Sequence, residues 1–85
     1  MELSKENQAI RDHHIKTFNA AAKKAKRKYR AIIAPKDEVI NGMQVDMIIQ
    51  MPDGYVISKW HVLGWVPGVS DAQIVNLWET AVPAK

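Results

Sequence analysis

Residues 44–63 read QVDMIIQMPDGYVISKWHVL, two β-prone runs on either side of Pro-Asp-Gly. The proline presets φ for a turn and the glycine accepts the positive φ that closes it, so this stretch is committed to a hairpin. With Met51 and Tyr55 flanking a three-residue loop, Ile49 is expected opposite Ile57, Met47 opposite Lys59 and Val45 opposite His61. Val45, Met47, Ile49, Met51, Tyr55 and Ile57 then share the face that should meet helices. Asp46, Ile48, Gln50, Val56, Ser58, Trp60 and Val62 share the other, more mixed face. A weaker turn signal at Ile40-Asn41-Gly42 leaves room for a third strand, drawn from residues 37–39 or 31–34, beside 44–51.

Helical periodicity precedes the hairpin. Ile15, Phe18, Ala22, Ala25, Tyr29 and Ile32 recur at spacings of three and four residues and form one apolar stripe. Ser4 is the expected N-cap, with Glu6 in the first turn. Two endings compete: a helix running to Ala34, the last position before Pro35, or a helix ending near Arg27 and a strand through the adjacent isoleucines. After the hairpin, Ser70 and Gln73 have capping-box spacing, Asp71 lies in the first turn, and Val69 and Ile74 can form a hydrophobic staple. Ile74, Leu77, Trp78 and Ala81 make the buried stripe of this second helix, Val82 adds to its edge, and Pro83 limits it. The expected architecture is therefore a small α+β domain over residues 1–85, in α-β-β-α order. A long N-terminal amphipathic helix and a short C-terminal helix cover one face of an antiparallel β-hairpin or three-stranded sheet.

The chain has 85 residues and no cysteine, which removes disulfides and thiolate chemistry from consideration. It shows neither a signal-peptide run nor the ~20 apolar residues of a membrane span, and it is read as soluble and cytoplasmic. Its net charge of +3 is unevenly divided. Residues 1–30 hold nine Lys or Arg against three acids, whereas residues 31–85 hold three against six. Such asymmetry points to a polyanionic partner.

The basic residues concentrate in AAAKKAKRKYR at 20–30, and from residue 16 to residue 30 there are seven cations and no acid. On a continuous helix Lys16, Lys23, Arg27 and Arg30 lie opposite the apolar stripe, flanked by Lys24 and Lys26, with Lys28 completing the set. Like charges at i and i+4, Lys23 with Arg27 and Lys24 with Lys28, would cost a few tenths of a kcal/mol per pair. Good helix formers on a solvated face need no ligand, but a sequence under no other demand relieves that repulsion with interspersed Glu.

Other constellations carry less. His13 and His14 point about 100° apart on a helix and lack a histidine at i+4, so they are read as structural or solvent groups, and Asp12 is placed to pair with Lys16. A metal role would need His61 and a carboxylate to converge on them. Ser58, Lys59 and His61 alternate along one strand, so Ser58 faces away from the other two and no triad forms. No catalytic residue and no cofactor or metal site is assigned.

The leading expectation is a non-enzymatic binding protein. Lys16, Lys23, Lys24, Lys26, Arg27, Lys28 and Arg30 would engage nucleic-acid phosphates with little sequence preference, Arg27 and Arg30 being the best bidentate donors. The alternative is a regulatory, inhibitor or assembly protein that offers the basic helix to an acidic protein surface, with Trp60 and Trp65 as contact candidates and Trp78 in the core. The order of elements is loosely similar to that of small phage head-completion proteins, a likeness of architecture that no motif carries. A homo-oligomer is compatible with the small size, and a membrane partner is not expected because Ala22, Ala25 and Tyr29 are too small a face to enter lipid.

Overall fold

In a computed structural model the chain is described over residues 3–60 and 67–81. Helix α1 spans Lys5–Lys24 and α2 spans Asp71–Ala81. Between them lie β1 (Arg30–Ile33), β2 (Val39–Ile40), β3 (Met43–Gln44), β4 (Met47–Gln50) and β5 (Val56–Trp60). Strands β1, β4 and β5 form an antiparallel sheet in that order, and β2 and β3 form a separate small hairpin. The α+β reading therefore holds, and both weak strand signals are realised: residues 31–33 in β1, and Val39 in the hairpin around Asn41-Gly42. Both turn residues there have positive φ, 50° and 78°, as a two-residue hairpin requires.

Helix starts follow their punctuation. The Ser4 side chain accepts from the Asn7 N–H at 3.1 Å. At α2 the capping is reciprocal: the Gln73 N–H donates to the Ser70 hydroxyl at 3.2 Å, and the Ser70 N–H donates to the Gln73 side-chain oxygen at 3.1 Å.

Of the two endings open to α1, the shorter forms: the helix stops before Arg27 and a strand runs through the adjacent isoleucines, so the apolar stripe misleads only where it continues past the helix. Helix geometry stops at Lys24, and Lys26 takes a left-handed φ of 59°. The Arg27 N–H returns to the Ala22 carbonyl (2.8 Å) and the Lys26 N–H to the Lys23 carbonyl (3.0 Å). This is a Schellman ending, with Lys26 where glycine is usual. Of the expected stripe, Phe18 and Ala22 are buried, Ala25 is exposed at the C-cap, and Tyr29 leaves the helix yet still stacks on Phe18, ring centroids 5.8 Å apart. Ile32 belongs to β1 and is exposed.

The core is one cluster contributed by α1 (Phe18, Ala22), the sheet (Ala31, Met47, Ile49) and α2 (Ile74, Trp78), so both helices cover the same sheet face. Leu77 is 46% exposed and leaves the expected α2 stripe. The β4–β5 register also departs from expectation. Gln50 pairs with Val56 as a simple three-residue loop requires, but a bulge follows, and then Ile49 faces Ser58, Ile48 faces Lys59 and Met47 faces Trp60. Ile57 is the extra residue, and beyond it the faces of β5 are exchanged. Trp60 thus turns to the core and meets Trp78 edge-to-face, centroids 4.3 Å apart. Lys59 faces outward and pairs with Glu38.

The outer edge of β1 is closed by a side chain. The Asn19 carboxamide accepts from the Ala31 N–H (2.7 Å) and donates to the Ala31 carbonyl (2.8 Å), the two bonds a fourth strand would supply.

Between the helices, the Trp78 indole N–H donates to His14 Nδ1 at 3.3 Å, so neutral His14 carries its proton on Nε2. Burial, followed by the neighbouring His13, lowers the His14 pKa below the ordinary 6.5. The neutral ring is therefore the form the fold favours, and the unfolded chain binds more protons. The stabilisation is complete above about pH 6.5 and is lost as pH falls through the lowered folded value. His13 bridges the same interface, its Nε2 3.0 Å from an Asp71 carboxylate oxygen. Thermal melts are expected to show Tm falling as pH drops below about 6.5, and His14→Gln, which keeps an acceptor but cannot titrate there, should flatten that slope.

Candidate polyanion-binding site

The seven cations do not share one helix face. Lys16, Lys23 and Lys24 are on α1, Lys26, Arg27 and Lys28 form the turn to β1, and Arg30 opens β1. Lys16 and Lys23 lie on the same side of α1 about 10 Å apart along its axis. The repulsion expected between Lys23 and Arg27 and between Lys24 and Lys28 as i,i+4 helical neighbours is absent as such, because the helix has ended before either partner.

All of these side chains are exposed except Arg30, which is half-buried. The Arg30 guanidinium folds back to donate from one nitrogen to the carbonyls of Arg27 and Tyr29 (2.7 Å to the latter). It braces the turn, so Arg27 remains the freer bidentate donor. Among the described residues the ion pairs are Arg11–Asp12, His13–Asp71 and Lys59–Glu38, and none involves the cluster. Asp12 takes its neighbour Arg11 rather than Lys16.

Two of the cations have a local reason to be where they are. Lys23 and Lys24 occupy the last turn of α1, where the helix dipole favours positive charge by roughly 0.3–1 kcal/mol. Lys26 has the opposite relation to its position. A side chain in the left-handed region costs roughly 1 kcal/mol that glycine would not.

The remaining candidates fall elsewhere. Trp60 is half-buried against Trp78 rather than on the outer face, and Trp65 and His61 lie outside the described residues. Ser58 and Lys59 lie on opposite faces of β5. Among the described residues no group of three His, Cys, Asp or Glu side chains could hold a metal ion. An open groove of about 510 Å³ runs between α1 and the end of β1, where Arg11 and Lys36 face Asp37 and Asp46. Its charges are mixed, and it lies away from the cluster.

No family model, no curated protein and no solved structure matches this chain. No described helix is long and apolar enough to cross a membrane. What the cations can bind follows from their own chemistry.

What sequence reasoning misses here is Tyr55. The hairpin register places it on the helix-covered face, but it is 64% exposed at the tip of the β4–β5 turn. The signal is present in its position, since a residue closing a three-residue loop sits past the end of the sheet that the helices cover.

Proposed function

We propose that this is a small non-enzymatic binding protein whose basic turn after α1 engages nucleic-acid phosphates. The observation that carries the reading is Lys26, a cation held at a left-handed position where glycine would fold more cheaply, at the centre of an exposed cationic run that makes none of the ion pairs among the described residues. Flexible Lys and Arg heads on a turn meet phosphates without reading bases, so binding is non-specific in sequence and steeply dependent on salt.

The test is fluorescence anisotropy with labelled DNA and RNA oligonucleotides across a salt series. Affinity is expected to fall by orders of magnitude between about 50 and 200 mM salt. The triple variant Lys23→Glu, Arg27→Glu and Lys28→Glu should abolish binding at a cost of several °C in Tm, since all three side chains are exposed and the main loss is the charge reversal at Lys23 in the last turn of α1. Lys26→Gly should separate folding from binding, raising Tm by roughly 4–8 °C while weakening the complex. Absence of binding to every oligonucleotide at low salt would sink the reading and leave an acidic protein surface as the remaining partner for the same cations.

A further inference from the structure

We infer that the nucleic acid is single-stranded and that Tyr55 is a base-stacking platform beside the basic turn; this rests on the reading above and adds to it a choice of strand state. The sheet register brings the two features together. Arg30, at the start of β1, pairs with Gln50, which pairs with Val56, so these three residues form one row across the sheet. With strands about 4.8 Å apart, that row spans on the order of 10 Å. The turn carrying Lys26, Arg27 and Lys28 and the turn carrying Tyr55 both continue from the ends of this row, at the same end of the sheet.

Tyr55 is the most exposed large apolar side chain among the described residues. Both of its backbone polar groups are nonetheless held, within a turn closed by a third bond. The Tyr55 N–H donates to the Asp53 carboxylate (2.9 Å), the Tyr55 carbonyl accepts from the Met51 N–H (2.8 Å), and the Gly54 N–H, at φ 91°, donates to the Met51 carbonyl (2.9 Å). An aromatic ring on a held turn loses little conformational freedom when a planar partner lands on it. Tyr29, also close to the cations in sequence, is unavailable because it stacks on Phe18.

A ring flanked by cations matches a particular ligand. Phosphates satisfy the Lys and Arg heads whatever the strand state, but a base face is free to stack only where the strand is unpaired, since duplex bases already stack on one another. Asp53, the acid in the same turn, is engaged with the Tyr55 N–H, which limits its opposition to a passing phosphate.

The test compares three probes at low salt: a labelled oligo-dT strand, a duplex of equal length, and inorganic polyphosphate as competitor. The proteins are the unmodified chain, Tyr55→Ala, Tyr55→Trp and the triple Glu variant. Tyr55→Ala is expected to weaken oligo-dT binding roughly 5- to 100-fold, the equivalent of one stacked base, without changing duplex affinity or the number of phosphates inferred from the salt slope. Tyr55→Trp should restore the affinity. If Tyr55→Ala binds oligo-dT as well as the unmodified chain while the triple Glu variant does not bind, stacking is overturned and the polyanion reading stands. Equal affinity for oligo-dT, duplex and polyphosphate overturns stacking in the same way. No binding by the unmodified chain to any of the three overturns both.

Discussion

Trp78→Ala is expected to lower Tm by more than about 12 °C, enough to leave the variant partly unfolded at physiological temperature. The indole is 1% exposed and is the largest of the fully buried side chains. It touches both other layers of the fold. Its N–H donates to His14 on α1 and its ring receives Trp60 from β5 edge-on. Truncation removes the transfer energy of the ring and leaves a cavity between three elements, together about 3–5 kcal/mol. A chain of this length is stabilised by roughly 4–13 kcal/mol in total, and each kcal/mol corresponds to about 4–8 °C. Leu77→Ala is the matched control. It removes an aliphatic side chain from the preceding position of the same helix, but at 46% exposure it should shift Tm by only a few degrees. Thermal unfolding followed by far-UV circular dichroism separates the two; equal shifts would mean that α2 does not bury the face assigned to it.

The second large effect is expected at a polar residue. Asn19→Ala should destabilise by about 2–3 kcal/mol, although alanine is the better helix former by roughly 0.5 kcal/mol. The reason is that Ala31 is buried, and removing the carboxamide strands both its N–H and its carbonyl. Asn19→Asp should not rescue. A carboxylate still accepts from the Ala31 N–H, but its other oxygen then faces the Ala31 carbonyl, acceptor against acceptor. The vacated edge is bordered by exposed Ile32 and Ile33, so light scattering should also detect self-association of Asn19→Ala near its melting temperature. A variant as stable as the unmodified protein, and scattering no more light, would show that the edge is closed in some other way.

These two residues differ in how far the sequence announces them. Trp78 stands four residues after Ile74 on a helix whose capping box and staple are written in adjacent residues, so its burial follows from spacing. Asn19 lies within about 40–60° of Ile15 and Ala22 on the helical wheel, which marks it as facing inward, but its partner is twelve residues away and emerges only when β1 docks. The end of α1 is hidden for a related reason. Helix stops are recognised by glycine, and here lysine occupies that conformation, so an apolar spacing that continues through Ala25, Tyr29 and Ile32 suggests a longer helix than forms. The basic residues themselves are legible at once. Their placement is not, because a cluster on one helix face becomes a turn flanked by a helix end and a strand start.

The register of β5 shows the same limit from another side. Its turn chemistry is plain, and the first pair, Gln50 with Val56, follows from it. Nothing in VISKW marks Ile57 as a bulge, since no glycine stands there. The choice is made by what Trp60 gains in meeting Trp78.

That bulge gives β5 a reading frame. Upstream of Ile57 the strand counts odd and even in one phase, and downstream in the other, so the number of residues between Tyr55 and Trp60 carries information that their identities do not. Adding one residue there with the bulge kept would return Trp60 to the outer surface and set Lys59 opposite Met47, a change no single substitution in the strand could imitate, whereas removing one is absorbed by loss of the bulge and leaves Trp60 opposite Met47. The Pro52–Gly54 turn, a few residues earlier, lies outside this count. Length variation between related chains should therefore accumulate in the turn, whereas the stretch from Val56 to Trp60 should keep its length or lose one residue together with the bulge, even where the residues filling it change.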